Sequence, residues 1–220
     1  MLNHASRSLA ALLILACASA LTALPAEAKY APVPLFDMIG ASDLVIIATI
    51  DALPSARVMT LAVEEVIHGS PGSKTLDVQR FEDWTCAARW TPYKVGQKAM
   101  FFLWRDDTAG QWRVRSAGNE GELPIMGGSV WLRGHGVEPW PAGEHTVHGA
   151  RFYGQEIDLA TFVDAVRGYR VHFEIKVTRH PWIQFQSARP LTDDAAREGY
   201  ASRSELHRSL VLGTPLDTSK

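Results

Sequence analysis

Cysteine is scarce in this chain. Only Cys17 and Cys86 occur in 220 residues, too few for a disulfide framework. Charge of one sign is equally scarce, because 22 Lys and Arg stand against 24 Asp and Glu for a formal net charge of -2. That balance excludes the cationic surplus of a nucleic-acid binder. No apolar run reaches the roughly 20 residues that carry a helix across a bilayer, so no transmembrane segment is expected. The sequence also lacks G-x-S-x-G, a phosphate-cradling glycine loop and a dinucleotide fingerprint, which removes the commonest signatures of hydrolases, nucleotide enzymes and dehydrogenases. No repeat or low-complexity tract stands out.

What is present begins at the N-terminus. Arg7 precedes an apolar run from Leu9 to Leu24, then Pro25, then the small-x-small triplet Ala26-Glu27-Ala28. This is the pattern of a cleaved signal peptide over 1–28, and it predicts a periplasmic or secreted chain starting near Lys29. Ile14-Leu15-Ala16-Cys17 loosely imitates a lipid-attachment box, an alternative in which Cys17 would be acylated. In the cleaved form Cys86 is the one thiol left, in a compartment where disulfides form, and the fold must stand on its apolar core.

Downstream, PLFDMIGASD predicts one or two helical turns. DLVIIATIDAL is rich in β-branched residues and reads as a buried strand. Met59, Leu61 and Val63 alternate with Thr60 and Ala62 in a second strand, and Leu76 and Val78 alternate with Asp77 and Gln79 in a third. AMFFLW, Ala99 to Trp104, is apolar on both faces and forms a hairpin with QWRVRS across a turn at Asp106 to Gly110. With ELPI and SVWLR, the span from Asp43 to Arg133 holds five to seven strands, the spacing of a small barrel or sandwich.

From Gly134 the texture changes. GHGVEPWPAGEHTVHG, loaded with Gly, Pro and His, predicts a long loop or lid. Ile157 to Tyr169 carries Leu159, Phe162, Val163 and Val166 at helical spacing, with Asp158 as N-cap and Gly168 near the stop. VHFEIKV reads as a strand, and the C-terminal stretch as one or two polar helices with Ser202 and Glu205 in capping-box spacing.

The order DLVIIATID, VEEVIHG closing in Gly69, Cys86, and Tyr93 through Gly96 to Leu103 resembles the netrin-like module. That is the OB-type barrel of tissue inhibitors of metalloproteinases and of many exported bacterial proteins, and the match covers about Asp43 to Gly118. The resemblance implies an OB-type small barrel, read as a domain over 29–133 in a mainly β protein, and the apolar stripe Leu159, Phe162, Val163 and Val166 implies that the C-terminal α+β extension, 134–220, packs on it. Two departures matter. The inhibitors begin with a zinc-chelating cysteine, whereas a mature chain here would begin Lys29-Tyr30. In many bacterial members the counterpart of Cys86 pairs with a cysteine after the next hairpin, where this chain has Ser116-Ala117-Gly118-Asn119.

Three groups of residues are candidates for function. Cys86 lies between Trp84 and Trp90 in WTCAARW and can be a buried inert thiol, half of an intermolecular disulfide, or a nucleophile, although no His adjoins it in sequence. Trp84 and Trp90 can form a stacking platform for a ligand or cap the barrel. His135, His145 and His148, with Glu138 or Glu144, supply enough donors for a metal, but H-x-x-H in a loop implies no scaffold. The expected function is an exported, non-catalytic binding or interaction module without a cofactor, whose partner is a protein or small ligand in the periplasm or outside the cell. The alternative is a metal-dependent hydrolase built on the three histidines.

Overall fold

A computed structural model describes residues 33–84, 87–116, 120–133, 141–176 and 187–216. The segment 1–28 expected to direct export lies outside them.

Five strands close into a barrel. β1 (Leu44–Ala52), β2 (Val58–His68), β3 (Thr75–Gln79), β4 (Lys98–Asp106) and β5 (Gln111–Val114) pair in the order β1-β2-β3-β5-β4, and β4 returns to β1. Every pairing is antiparallel except β3 with β5, which is parallel through Val78↔Trp112 and Gln79↔Arg113. This is an OB-type barrel, and closure removes the edges that a small open sheet would expose.

The long apolar runs follow from this closure. Leu44, Ile46, Ala48 and Ile50 of β1 and Ala99, Phe101 and Leu103 of β4 point into the barrel, where they meet Met59, Leu61, Leu76, Val78 and Val114. The intervening Val45, Ile47, Met100 and Phe102 point outward, yet they are buried in a second core. Strands covered on both faces read as continuous hydrophobic sequence rather than as alternation. β3 and the first half of β2, Val58 to Ala62, covered on one face only, keep the period of two.

The second core is roofed by the rest of the chain. Along one edge of β4, β5 pairs with Leu103 to Asp106 and β6 (Glu122–Met126) with Ala99 to Phe101. The handover falls at Phe102, whose N–H donates to the Gly121 carbonyl at 2.9 Å while its carbonyl accepts from Arg115 N at 2.9 Å. β7 (Ser129–Leu132), β9 (Ala150–Asp158) and β8 (Gly143–Val147) extend the sheet in that order. Helices α1 (Leu35–Ala41), α2 (Leu159–His172), α3 (Asp194–Ala201) and α4 (Glu205–Gly213) lay Met38, Ile39, Phe162, Val166, Tyr169, Tyr200, Leu206 and Leu210 on this core. A short two-stranded sheet, β10 (Phe173–Lys176) with β11 (Ser187–Pro190), completes it. The extension therefore packs on the barrel, and among the described residues no helix is long and apolar enough to cross a membrane.

Four local expectations need correction. Residues 143–158, read in part as loop, form the β8–β9 hairpin. His148 and Gly149, both at positive φ (48° and 76°), make its two-residue turn, so composition that looked like loop is hairpin-turn chemistry. The helix begins at Leu159 rather than Ile157, because Ile157 pairs with Val130 in the sheet. Asp158 does cap it, accepting from Thr161 N at 2.8 Å. Gly168 does not stop it: a Cβ there would lie 2.5 Å from Tyr200 Cε2, so this glycine admits a neighbouring ring while the helix runs on to His172. Ser202 is the C-cap of α3, and Ser204 caps α4.

Candidate functional site

The β3–β4 connection is held by a buried polar knot. Arg89 Nε donates to Glu122 Oε2 at 2.7 Å, and both side chains are almost wholly buried. Its Nη1 donates to the Thr91 carbonyl at 2.7 Å and to Gln97 Oε1 at 3.1 Å. The guanidinium lies over the rings of Trp90, at 4.3 Å, and Tyr93, at 4.0 Å. The Tyr93 hydroxyl donates to Glu122 Oε1 and accepts from Phe81 N at 3.0 Å. Asp83 accepts from Arg89 N at 2.8 Å, and Gln97 Nε2 reaches the Pro92 carbonyl at 3.1 Å. Most of the polar groups of this irregular segment are satisfied in this way, while Arg89 Nη2 and Trp90 Nε1 find no hydrogen-bond partner among the described residues.

Burial raises the Glu122 carboxyl above the usual carboxylate range, opposed by Arg89 and the Tyr93 hydrogen bond. Burial also pushes Tyr93 far above its ordinary value, so its hydroxyl stays a donor. Glu122 opens β6, after the β4–β5 hairpin. The knot thus fastens the segment bearing Cys86 to the segment after the β4–β5 hairpin by an ion pair. Cys86 itself lies outside the described residues.

The sequence candidates separate around this knot. Trp84 is 44% exposed and forms a small bridge with Ala87, whereas Trp90 is 6% exposed, so the two offer no shared open platform. Trp90 instead stacks on His148 with centroids 5.5 Å apart. His148 Nε2 lies 3.2 Å from the Lys98 carbonyl. His145 packs on Trp131 at 4.4 Å, and Trp131 meets Phe152 edge-on. Trp90, Trp131, Val147 and Phe152 form a small core of their own that docks the β8–β9 hairpin. Both histidines therefore serve aromatic packing here. His135 and Glu138 lie outside the described residues, and among the described residues no three His, Cys, Asp or Glu side chains are grouped to hold a metal.

Among the described residues, one side of the barrel is left uncovered. The outward residues of β2, β3 and β5 are Val58, Thr60, Ala62 and Glu64, then Thr75, Asp77 and Gln79, then Gln111 and Arg113, all half-buried or exposed. Register sets Val58, Gln79, Arg113 and Trp104 in one row across four strands. Thr60 donates to Asp77 Oδ1 at 2.7 Å in the next row of this face. The connections from β1 to β2, β2 to β3 and β4 to β5 lead into or out of these strands. The outward positions of β2 and β3 were legible from their alternation, but that this face would be the open one depended on where the extension settled.

A cleft of about 510 Å³ opens elsewhere, lined by Glu65, Gly128, Leu159, Val163, Asp164 and Arg167. Arg167 pairs with Glu65 across it at 2.7 Å. Searches against family models, curated proteins and solved structures found no match.

Proposed function

We propose that the chain is an exported binding module on a netrin-like barrel, which holds its ligand or partner on the outer face of β2, β3 and β5. The observation that carries this reading is the asymmetry of burial. The outward residues Val45, Ile47, Met100 and Phe102 of β1 and β4 are sealed under the second core, while the outward face of β2, β3 and β5 is open. OB barrels bind through their second and third strands and the loops that flank them, and here the same strands and loops are the ones left free. The netrin-like part of the proposal is supported by the strand order, by Gly69 closing β2, and by the tether between the Cys86 segment and the chain after the β4–β5 hairpin. Export is supported by the N-terminal pattern of Arg7, apolar run and Ala26-Glu27-Ala28.

The test is site-specific photo-crosslinking in the producing cell. A photoreactive residue at Asp77 or Arg113 should give adducts, and one at Glu156, exposed on β9, should not. Equal adducts from Glu156, or none from the barrel face, would reject the assigned surface. Retention of the chain in the cytoplasmic fraction would reject export.

A further inference from the structure

Ser204, His207 and Asp164 come together where α2 meets the N-terminus of α4. Ser204 Oγ lies 2.7 Å from His207 Nδ1, and His207 Nε2 lies 3.1 Å from Asp164 Oδ2. The histidine is 2% exposed, with Tyr200 packed edge-on against its ring at 4.7 Å, while Ser204 is half-buried and Asp164 lines the cleft on α2. Arg203 Nη1 reaches both Asp164 oxygens, at 3.3 and 3.2 Å.

The simple account of Ser204 is that it caps α4. The distances within this one molecule argue that it does more. Asp158 and Asp193 cap their helices with N–H to oxygen distances of 2.8 Å each, whereas the His207 amide sits 3.4 Å from Ser204 Oγ. The short contact of this hydroxyl is to the imidazole. With a carboxylate on Nε2, that nitrogen carries the proton, and Nδ1 is left as the acceptor for the serine proton. Burial holds the imidazole below its ordinary value despite Asp164, so it is the free base at neutral pH.

We propose that these three side chains act as nucleophile, general base and orienting carboxylate in acyl transfer from small esters to water. Ser204 Oγ attacks the ester carbonyl carbon as its proton passes to His207 Nδ1, and the carbonyl electron pair moves to oxygen. Collapse breaks the bond to the alcohol oxygen, which takes the proton back from Nδ1 and leaves acyl-Ser204. Water then attacks that acyl carbon, gives a proton to Nδ1, and the carboxylic acid departs as Ser204 Oγ is reprotonated. The first-turn amides of Glu205 and Leu206, which follow Ser204 at the start of α4 and have no acceptor inside the helix, are the donors available to a developing oxyanion. This activity uses none of the residues assigned to the open barrel face, so either proposal can fail without the other.

The experiment is labelling of the folded full chain with a fluorophosphonate at neutral pH, read by intact mass and peptide mapping. A single adduct on Ser204 is expected. His207→Gln should slow it by about 100-fold, the scale of a lost general base, and Asp164→Asn should slow it as well. Ser204→Asn keeps a capping oxygen but removes the nucleophile, so it should retain the melting temperature and lose the adduct. p-Nitrophenyl acetate should give a burst of one p-nitrophenol per chain with acetyl-Ser204 in the mass spectrum. No adduct on wild-type Ser204, when a serine hydrolase in the same reagent labels fully, would overturn the proposal. An unchanged labelling rate in His207→Gln would overturn it too, leaving Ser204 as a helix cap.

Discussion

Replacing Arg89 by Met should destabilise the protein severely, in a manner that depends on pH. Arg89 and Glu122 are 2% and 0% exposed in their side chains, so removing the guanidinium leaves a buried carboxylate that keeps, among the described residues, only the Tyr93 hydroxyl as a side-chain donor. Breaking a buried pair from one side costs about 3–5 kcal/mol, a large part of the 5–15 kcal/mol that holds a domain of this kind together. At about 2–4 °C per kcal/mol for a chain of this size, the melting temperature should fall by roughly 10 °C. Burial already raises Glu122, and a raised carboxylate stabilises the fold fully below its unfolded value and loses that contribution as pH rises through the folded one. Losing Arg89 removes the main opposing influence and moves the folded value further up. The deficit of Arg89→Met should therefore be largest near neutrality and shrink as pH falls towards the ordinary carboxylate range. Urea denaturation across pH 4.5 to 7.5 measures both effects. Adding Glu122→Leu should recover much of the loss, since neither charge is then stranded. A cost below about 1 kcal/mol for Arg89→Met, or a deficit that grows on acidification, would refute the reasoning.

Other outcomes follow from packing and titration. Phe162 is fully buried in the core shared by the barrel's outer face and the extension, so Phe162→Ala should cost about 3–5 kcal/mol and lower one single transition; two transitions with only one moved would show that the extension folds by itself. Gly168→Ala should destabilise by about 1–3 kcal/mol against its helix-propensity gain, because the new methyl meets the buried Tyr200 ring, and calorimetry showing a higher melting temperature would contradict that contact. Burial holds His68, His172 and His207 below the ordinary histidine value, with Arg170 acting on the first and Arg203 on the other two. Groups lowered in this way favour the fold above their unfolded value near 6.5 and lose that contribution as pH falls through the folded values, so the urea midpoint should drop on going from pH 7.5 to 5. His207→Gln should flatten that drop.

By itself the sequence determined the elements whose pattern is local. β1 to β5, the burial of β1, the two-sided burial of β4, the Asp106 turn and the Asp158 cap were all legible, because strand period, β-branching and capping act between near neighbours. The tertiary structure alone decided what depends on distant partners. Gly168 reads as a helix stop until Tyr200, 32 positions on, is seen to need the space. The His145 and His148 segment reads as loop until Trp131 and Trp90 cover its rings and β9 pairs with it. Glu122, in a short apolar strand, gives no local sign that it will meet Arg89, and Asp164, on the polar side of an amphipathic helix, gives none that it will meet His207. Period and propensity describe which way a side chain faces. Which side chain it faces is fixed only when the barrel closes and the helices settle on β1 and β4, since those contacts join residues separated by dozens of positions.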